Sequence, residues 1–164
     1  MVQLFEQDIK TNDRQSSKGN QLKWCRNNVW YKADYMGYEG LVEYVVSRLL
    51  EKSSLKQEEY AEEKYHLCPI FDNGAGLLSD IQMDYPMEEN INNLIEEVRS
   101  KTLCEDFDEQ IEIAEELYGQ QISLEFTKKD VKEILDMESY YPQEYKERVF
   151  EIIMSRRRKY RYLF

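Results

Sequence analysis

Apolar residues recur at helical spacing in five segments of the chain, and each segment predicts a helix with one buried face. Two of these helices carry terminal signals. Gly119 is a typical C-terminal cap, and Thr127 followed by Asp130 approaches a capping box. The predicted helices are Leu41 to about Lys52, Glu88 to Arg99, Glu105 to Tyr118, Thr127 to about Met137, and Gln143 to about Arg158.

Short runs of aromatic and β-branched residues predict strands in the first half of the chain. Gln21 to Arg26 and Val29 to Asp34 flank Asn27-Asn28, a pair that tolerates the positive φ angles of a tight hairpin turn. Further strands are predicted at Val2 to Asp8, Leu67 to Phe71 and Ile122 to Phe126, and a polar helix at Gln57 to Lys64. We therefore expect an α+β fold, with a small antiparallel N-terminal sheet and a helix followed by a mostly helical C-terminal part.

The length of 164 residues suits a single domain, 1–164, but the charge divides it into three segments. Residues 1–55, the hairpin and first helix, are nearly neutral. Residues 56–154, the acidic helical region, carry 9 basic and 26 acidic side chains, and residues 155–164 form a basic tail with five cations. A strongly acidic middle is poorly suited to gripping a nucleic-acid backbone, so direct nucleic-acid binding is expected only through the tail.

Cysteine and histidine usage indicates neither a disulfide framework nor a structural zinc site. The three cysteines are widely spaced, and His66 is the only histidine. No apolar run approaches the roughly 18 residues that a membrane span requires. These features predict a cytoplasmic protein that does not enter a membrane.

Three segments carry residue types suited to nucleotide chemistry. Ser16 to Lys23 is a small-residue loop whose backbone N–H groups suit phosphate binding. Trp30 to Asp34 places a lysine on a strand, and Pro69 to Gly74 ends a strand in an acidic turn where an aspartate suits magnesium. Each segment alone is also compatible with an ordinary loop or Asx-turn.

Taken in order, these segments resemble the HipA-type serine/threonine kinases of bacterial toxin systems, especially the short HipA-like proteins of Gram-positive bacteria. Asp106 to Gln110, Leu117 to Gly119 and the ending Arg158 to Phe164 are also similar to that group. The resemblance implies ATP and magnesium as cofactors. It matches Gly19, Gln21 and Lys23 to the phosphate loop, Lys32 to the nucleotide-binding lysine and Asp72 to the metal-binding aspartate.

The chain departs from that family at the catalytic loop. Kinases of this type carry an Asp-Arg-His-x-x-Asn segment between the lysine-bearing sheet and the metal-binding aspartate, whereas here Ser53 to Tyr65 contains neither that sequence nor an asparagine. Phosphoryl transfer needs a positioned nucleophile and metal ions that neutralise developing charge. No catalytic residue and no cofactor are therefore predicted, and the nucleotide and metal positions are expected to be vestigial. The shortened chain is expected to close a core by itself or as a homodimer.

The predicted helix at 105–118 has an acidic arc. A rotation of about 100° per residue places its apolar side chains in one narrow stripe and its carboxylates within about 120° on the opposite side. Neighbouring carboxylates repel one another by a few tenths of a kcal/mol per pair, so the arc costs stability. Its members are Glu105, Asp108, Glu109, Glu112, Glu115 and Glu116.

Two interpretations of this arc remain open: a solvated helix face that keeps the protein soluble, or a binding surface. The second favours a non-catalytic protein that inhibits a basic nucleic-acid-targeting enzyme, by physical analogy with phage inhibitors of restriction or CRISPR nucleases. The alternatives are residual ATP-dependent kinase chemistry and a dimeric subunit of a toxin–antitoxin system. The basic tail either binds acid, including the protein's own, or opposes the dipole of the last helix.

Overall fold

The computed structural model describes residues 23–34, 37–54, 76–99, 103–120 and 123–164. The predicted strands Val2 to Asp8 and Leu67 to Phe71, and the predicted helix Gln57 to Lys64, lie outside these residues. The elements, in chain order, are β1 (Lys23–Arg26), β2 (Val29–Lys32), α1 (Glu39–Leu50), α2 (Ile91–Glu97), α3 (Phe107–Tyr118), α4 (Lys128–Met137), α5 (Gln143–Lys159) and a 3-10 turn (Arg161–Leu163).

The predicted hairpin is present, and its turn has the expected conformation. Asn27 and Asn28 have φ angles of 52° and 61°, and Arg26 pairs with Val29 across the two-residue loop. Two consecutive positive φ angles match the twist of the flanking strands, as in a type I′ turn. The second strand ends two residues earlier than predicted, at Lys32, and Asp34 instead caps α1 with its carboxylate.

The five helices predicted from apolar spacing are present, although α3 begins at Phe107, so Glu105 lies before it. Gly119, with φ of 73°, terminates α3, and Thr127 and Asp130 form the complete capping box of α4. Helix α2 is shorter than predicted, because the side chain of Asn90 accepts a hydrogen bond from the Asn92 N–H at 2.9 Å and starts the helix there.

The prediction of a strand from Ile122 to Phe126 was wrong over its described residues, 123–126. Leu124 forms only an isolated bridge with Ser53. Its partner is the short turn that follows α1, which contributes two flanking backbone hydrogen bonds of 2.8 Å before the chains separate. Phe126 is then buried in the core, and Thr127 caps α4 immediately afterwards. Too few residues therefore remain to pair as a β-strand.

The core joins α1, α4 and α5, so the N-terminal and C-terminal parts of the chain share one hydrophobic cluster. A smaller cluster places α2 against α5 through Leu94, Ile95 and Ile152. The fold is mixed and mostly helical, and in the described ranges the expected sheet is reduced to one hairpin. The main core comprises Tyr38, Leu41, Val42, Val45, Leu49, Phe126, Val131, Ile134, Leu135, Val149 and Ile153.

Buried hydrogen bonds from two core side chains hold the segment 77–86 against this core. The hydroxyl of Tyr38 lies within hydrogen-bond distance of the Leu77 and Leu78 carbonyls, at 2.9 and 3.0 Å, and accepts from Arg148 Nε at 3.0 Å. The other guanidinium nitrogens of Arg148 donate to the carbonyls of Pro86 and Tyr85. Burial raises the pKa of Tyr38 to about 12, against the opposing effect of the nearby Arg148 cation.

Candidate functional site

The structure brings together two of the five positions matched to kinase chemistry. Lys23 and Lys32 are paired directly across β1 and β2. Gly19, Gln21 and Asp72 lie outside the described residues. The hairpin therefore places the lysine of the phosphate-loop motif and the lysine of the nucleotide-binding motif at the same register position.

The residues that follow Lys32 in the kinase-like motif have structural roles. The Asp34 carboxylate accepts the backbone N–H groups of Glu39 and Gly40, each at 2.9 Å, and so caps the start of α1. It also accepts the Tyr141 hydroxyl at 2.8 Å, which ties the start of α1 to the chain before α5. Burial, together with this hydrogen bond to Asp34, raises the pKa of Tyr141. Sequence reasoning missed the role of Asp34, although an aspartate five residues before a helix is compatible with capping.

The predicted acidic arc lies on α3, and most of its carboxylates face solvent. Glu105, Glu109, Glu112 and Glu116 are exposed and Glu115 is partly exposed, and none of the five forms an ion pair with a described residue. We call these five residues the α3 acidic surface. No residue of α3 is fully buried, and Tyr118, which the helical period placed on the inner stripe, is 67% exposed.

Asp108 differs from the other members of the arc because the basic tail binds it. Lys159 Nζ lies 2.5 Å from Asp108 Oδ2, and the Tyr160 hydroxyl donates to Asp108 Oδ1. These two hydrogen bonds lower the pKa of the Asp108 carboxyl. Asp108 is thus a structural anchor between α3 and the end of α5, and the tail contacts the protein's own acidic helix.

Arg156 is a second contact between these elements. Its guanidinium donates to the Ile95 carbonyl at 3.2 Å and to the Tyr160 hydroxyl at 3.3 Å, and it lies 5.5 Å from the centre of the Phe107 ring. The cation therefore links the ends of α2, α3 and α5. The sequence does contain a signal for this role. Arg156 follows Ile152 and Ile153 by four and three residues, a spacing that places it on the buried face of α5.

The helix dipole favours the carboxylates at the start of α3 and opposes those near its end. Asp108 and Glu109 lie in the first turn, where carboxylates are favourable, but Glu115 and Glu116 lie near the C-terminus, and α3 has no basic residue in its last turn. Carboxylates at a helix C-terminus are unfavourable, and those three or four positions apart also repel. The C-terminal half of the α3 acidic surface therefore costs stability within the fold.

A second charged surface was not predicted. A groove of about 1000 Å³ lies between α4 and α5, and we call it the α4/α5 groove. Its side chains include six cations and three carboxylates, in a chain whose net charge is −11. The cations are Lys128, Lys132, Lys146, Arg157, Arg158 and Arg161, and the carboxylates are Asp136, Glu147 and Glu151.

Comparisons with known proteins identify no relative of this chain. No protein-family model matches it, and neither the curated proteins nor the solved structures provide a match. The resemblance to HipA-type kinases therefore remains a prediction. Among the described residues, no three His, Cys, Asp or Glu side chains converge in a way that could hold a metal ion, and no helix is long and apolar enough to cross a bilayer.

Acidification is expected to release the basic tail from α3. The pKa of Asp108 is lowered in the folded protein, so its contribution to stability is present above the ordinary carboxyl pKa and is lost as the pH falls through the folded value. The protection factors of the amides of residues 160–164, which correct for slower intrinsic exchange in acid, should therefore fall at low pH. Asp108→Asn should lower them already at neutral pH, whereas Glu109→Asn, one residue away, should not.

Proposed function

We propose that this chain is a non-catalytic binding protein that inhibits a basic, nucleic-acid-targeting enzyme through its α3 acidic surface. The proposal rests on one observation: the carboxylates of α3 are exposed to solvent although their placement lowers the stability of the fold. Five carboxylates without ion pairs in the described structure lie on α3 or, for Glu105, just before it, and those near the C-terminus of α3 oppose the helix dipole. Because this arrangement destabilises the free protein, we expect charge contacts with a partner to offset the lost stability in a complex.

The local chemistry suits a partner whose groove normally holds phosphates. Successive carboxylates three or four positions apart are about 4.5–6 Å apart along the helix axis, which approaches the phosphate separation of a nucleic-acid strand. A row of carboxylates at this spacing attracts the lysine and arginine side chains that line such a groove. The exposed Leu117, 60% accessible, adds an apolar contact beside the carboxylates.

The kinase-like residues support binding in preference to catalysis. The segment Ser53 to Tyr65 lacks the catalytic-loop sequence of the family that the chain resembles. In the motif after Lys32, Asp34 caps α1 and Tyr38 is buried against Arg148. These residues stabilise the fold without requiring a nucleotide.

The test is inhibition of purified bacterial nucleases with basic active-site grooves. We expect inhibition that weakens as salt is raised, because opposite charges across an interface are screened. The neutral, nearly isosteric variant Glu109→Gln/Glu112→Gln/Glu116→Gln should inhibit at least about tenfold less well, since each charge contact contributes to affinity. A matched variant with the same charge change elsewhere, Glu88→Gln/Glu89→Gln/Glu144→Gln, should inhibit like the wild type.

Equal inhibition by the two triple variants, or inhibition independent of salt, would contradict the proposal. Absence of inhibition across nucleases with basic grooves would do the same. Circular dichroism of both variants should match the wild type, because all six glutamates are exposed and removal of charge from α3 relieves repulsion.

A second candidate is binding of ATP with magnesium, which the direct pairing of Lys23 with Lys32 favours. Two cations at one register position of a hairpin suit the phosphates of a nucleotide. Magnesium-dependent ATP binding by calorimetry, lost in Lys32→Ala and retained in Lys129→Ala, would support it. Tight binding of this kind would replace the purely non-catalytic interpretation.

A further inference from the structure

The α4/α5 groove concentrates positive charge in an acidic protein. Lys128, Lys132, Arg158 and Arg161 are exposed, and Arg157 is partly exposed. None of these five cations forms an ion pair with a described residue. In addition, Arg157 Nε is buried without a hydrogen-bond partner in the described structure. Charges of one sign gathered in a concave surface attract an anionic group of matching shape.

The floor of the groove is apolar. Leu135 is buried, and Phe150, Met154 and Phe164 line the groove beside it. The ammonium groups of Lys128 and Lys132 lie 5.8 and 5.6 Å from the centre of the Phe150 ring, and Arg157 lies 5.2 Å from that of Phe164. An apolar floor with a cationic rim is the pattern that accepts an amphipathic helix with carboxylates beside its apolar edge.

Helix α3 of the same chain has this composition. At about 100° per residue, Ile113 and Leu117 form an edge next to the arc of Glu109, Glu112 and Glu116. Leu117 is 60% exposed, and Ile113, one turn earlier, is partly exposed. The apolar edge matches the floor of the groove, and the carboxylates match its unpaired cations.

The occupant of the groove cannot be the α3 helix of the same molecule, because α3 is fastened elsewhere. Lys159 and Tyr160 bind Asp108, whereas the groove is lined by Arg157, Arg158 and Arg161. The two surfaces therefore remain available at the same time. We propose that the α4/α5 groove binds the α3 acidic surface of a second copy of this chain.

The groove suits a protein helix better than a nucleic acid. Three carboxylates, Asp136, Glu147 and Glu151, line it among the cations and oppose any anionic occupant, whereas its apolar side chains favour the apolar edge of a helix, which a phosphate backbone lacks. The chain as a whole has a net charge of −11, which disfavours approach to a polyanion. Within the contact, screening limits repulsion between the two acidic copies to short range.

The groove and α3 are different surfaces, so two arrangements are open to the contact. Two copies either bind each other's α3 reciprocally and close as a two-fold dimer, or bind head to tail and continue into larger assemblies. Association covers the same α3 surface that we propose for the foreign partner, so the two processes compete. The self-association does not depend on the proposed function, because it requires only copies of this chain.

The decisive experiment uses two charge-reversal variants, each with one surface disabled. Lys128→Glu/Lys132→Glu removes cations from the groove, and Glu112→Lys/Glu116→Lys removes carboxylates from α3. Both are compatible with folding because all four side chains are exposed, and Lys128→Glu and Glu116→Lys also complement the helix dipoles at the start of α4 and near the end of α3. Each variant alone should be monomeric by sedimentation velocity in low salt, where the wild type associates.

Mixing the two variants should restore a 1:1 complex, because one supplies an intact α3 surface and the other an intact groove. The control variants Lys129→Glu and Glu88→Lys/Glu89→Lys alter exposed charges outside both surfaces and should associate like the wild type. Cross-linking of an Ile113→Cys copy to a Met154→Cys copy would locate the contact.

A wild type that stays monomeric at millimolar concentration would overturn the proposal, as would association unaffected by either variant. A mixture that remains monomeric would also overturn it. Binding of a single-stranded oligonucleotide to the wild type, lost in Lys128→Glu/Lys132→Glu and retained in Lys129→Glu, would instead assign the groove to nucleic acid. Nuclease inhibition is a separate readout, so failure of either proposal leaves the other distinguishable.

Discussion

Replacement of Arg148 by methionine is expected to lower the free energy of unfolding by about 3 kcal/mol. Arg148 is 4% exposed, and its guanidinium donates to the Tyr38 hydroxyl and to the carbonyls of Tyr85 and Pro86. Methionine fills much of the same volume but donates no hydrogen bond. The carbonyls would lose their partner while remaining partly buried.

The sign of this effect depends on two opposing contributions. Removing a buried cation recovers its desolvation cost, which is why apolar replacements of buried ion pairs are sometimes stabilising. Here no described carboxylate lies within ion-pair distance of Arg148, and its partners are two backbone carbonyls and a tyrosine hydroxyl. Backbone carbonyls remain after the substitution, so the cost of leaving them unsatisfied decides the outcome.

Urea unfolding followed by circular dichroism would measure the effect. Arg158→Met, which removes the same group from an exposed position, should change stability by less than about 0.5 kcal/mol. Tyr38→Phe should be destabilising as well, and a double-mutant cycle with Arg148→Met should show a coupling of about 1 kcal/mol or more. An Arg148→Met protein as stable as the wild type would contradict the stabilising role of this network.

Gly37→Ala is expected to destabilise the protein by about 2–3 kcal/mol through a steric clash. An added Cβ would lie 1.9 Å from the backbone oxygen of Ser79, a distance that requires the main chain to move. Ser79 is fully buried, and its carbonyl accepts the Tyr38 N–H at 3.4 Å. The displacement would therefore reach the Tyr38 and Arg148 network.

Gly119→Ala is the matched control, because its cost has a different origin. A Cβ at Gly119 meets open space, but the residue has φ of 73°, so alanine is strained there by about 1 kcal/mol. Thermal unfolding of both variants separates the two mechanisms. Similar stability losses at the two positions would argue against the close approach of Gly37 to Ser79, and a shortened α3 is expected only for Gly119→Ala.

Local signals in the sequence were sufficient for the hairpin and for the helix ends that carry capping residues. Asn27-Asn28, Gly119 and the pair Thr127 and Asp130 each determine backbone conformation within a few residues. Their effects are short-range, so they can be read without knowledge of the packing. The strand predicted from Ile122 to Phe126 failed because a strand needs a partner of matching length, which the turn after α1 does not provide.

The candidate site was predicted only in part for a related reason. Helical periodicity places the carboxylates of α3 on one side, but it contains no information about which neighbour each side chain meets. Asp108 lies at the edge of that arc, and the packing of α5 beside it turns the carboxylate into an anchor for Lys159 and Tyr160. Of the remaining five carboxylates, four are exposed, as the period indicates, and Glu115 is partly exposed.

The sequence by itself determined the helices, the hairpin turn and the acidic arc, because these depend on residues a few positions apart. Only the tertiary structure decided that Arg148 is a buried core residue, that the tail contacts α3, and that six cations from α4, α5 and the tail line one groove. The cations are separated by up to 33 positions, from Lys128 to Arg161, and alternate with acids along the chain. Only the packing of α4 against α5 brings them together, so the basic groove cannot be recognised from the sequence alone.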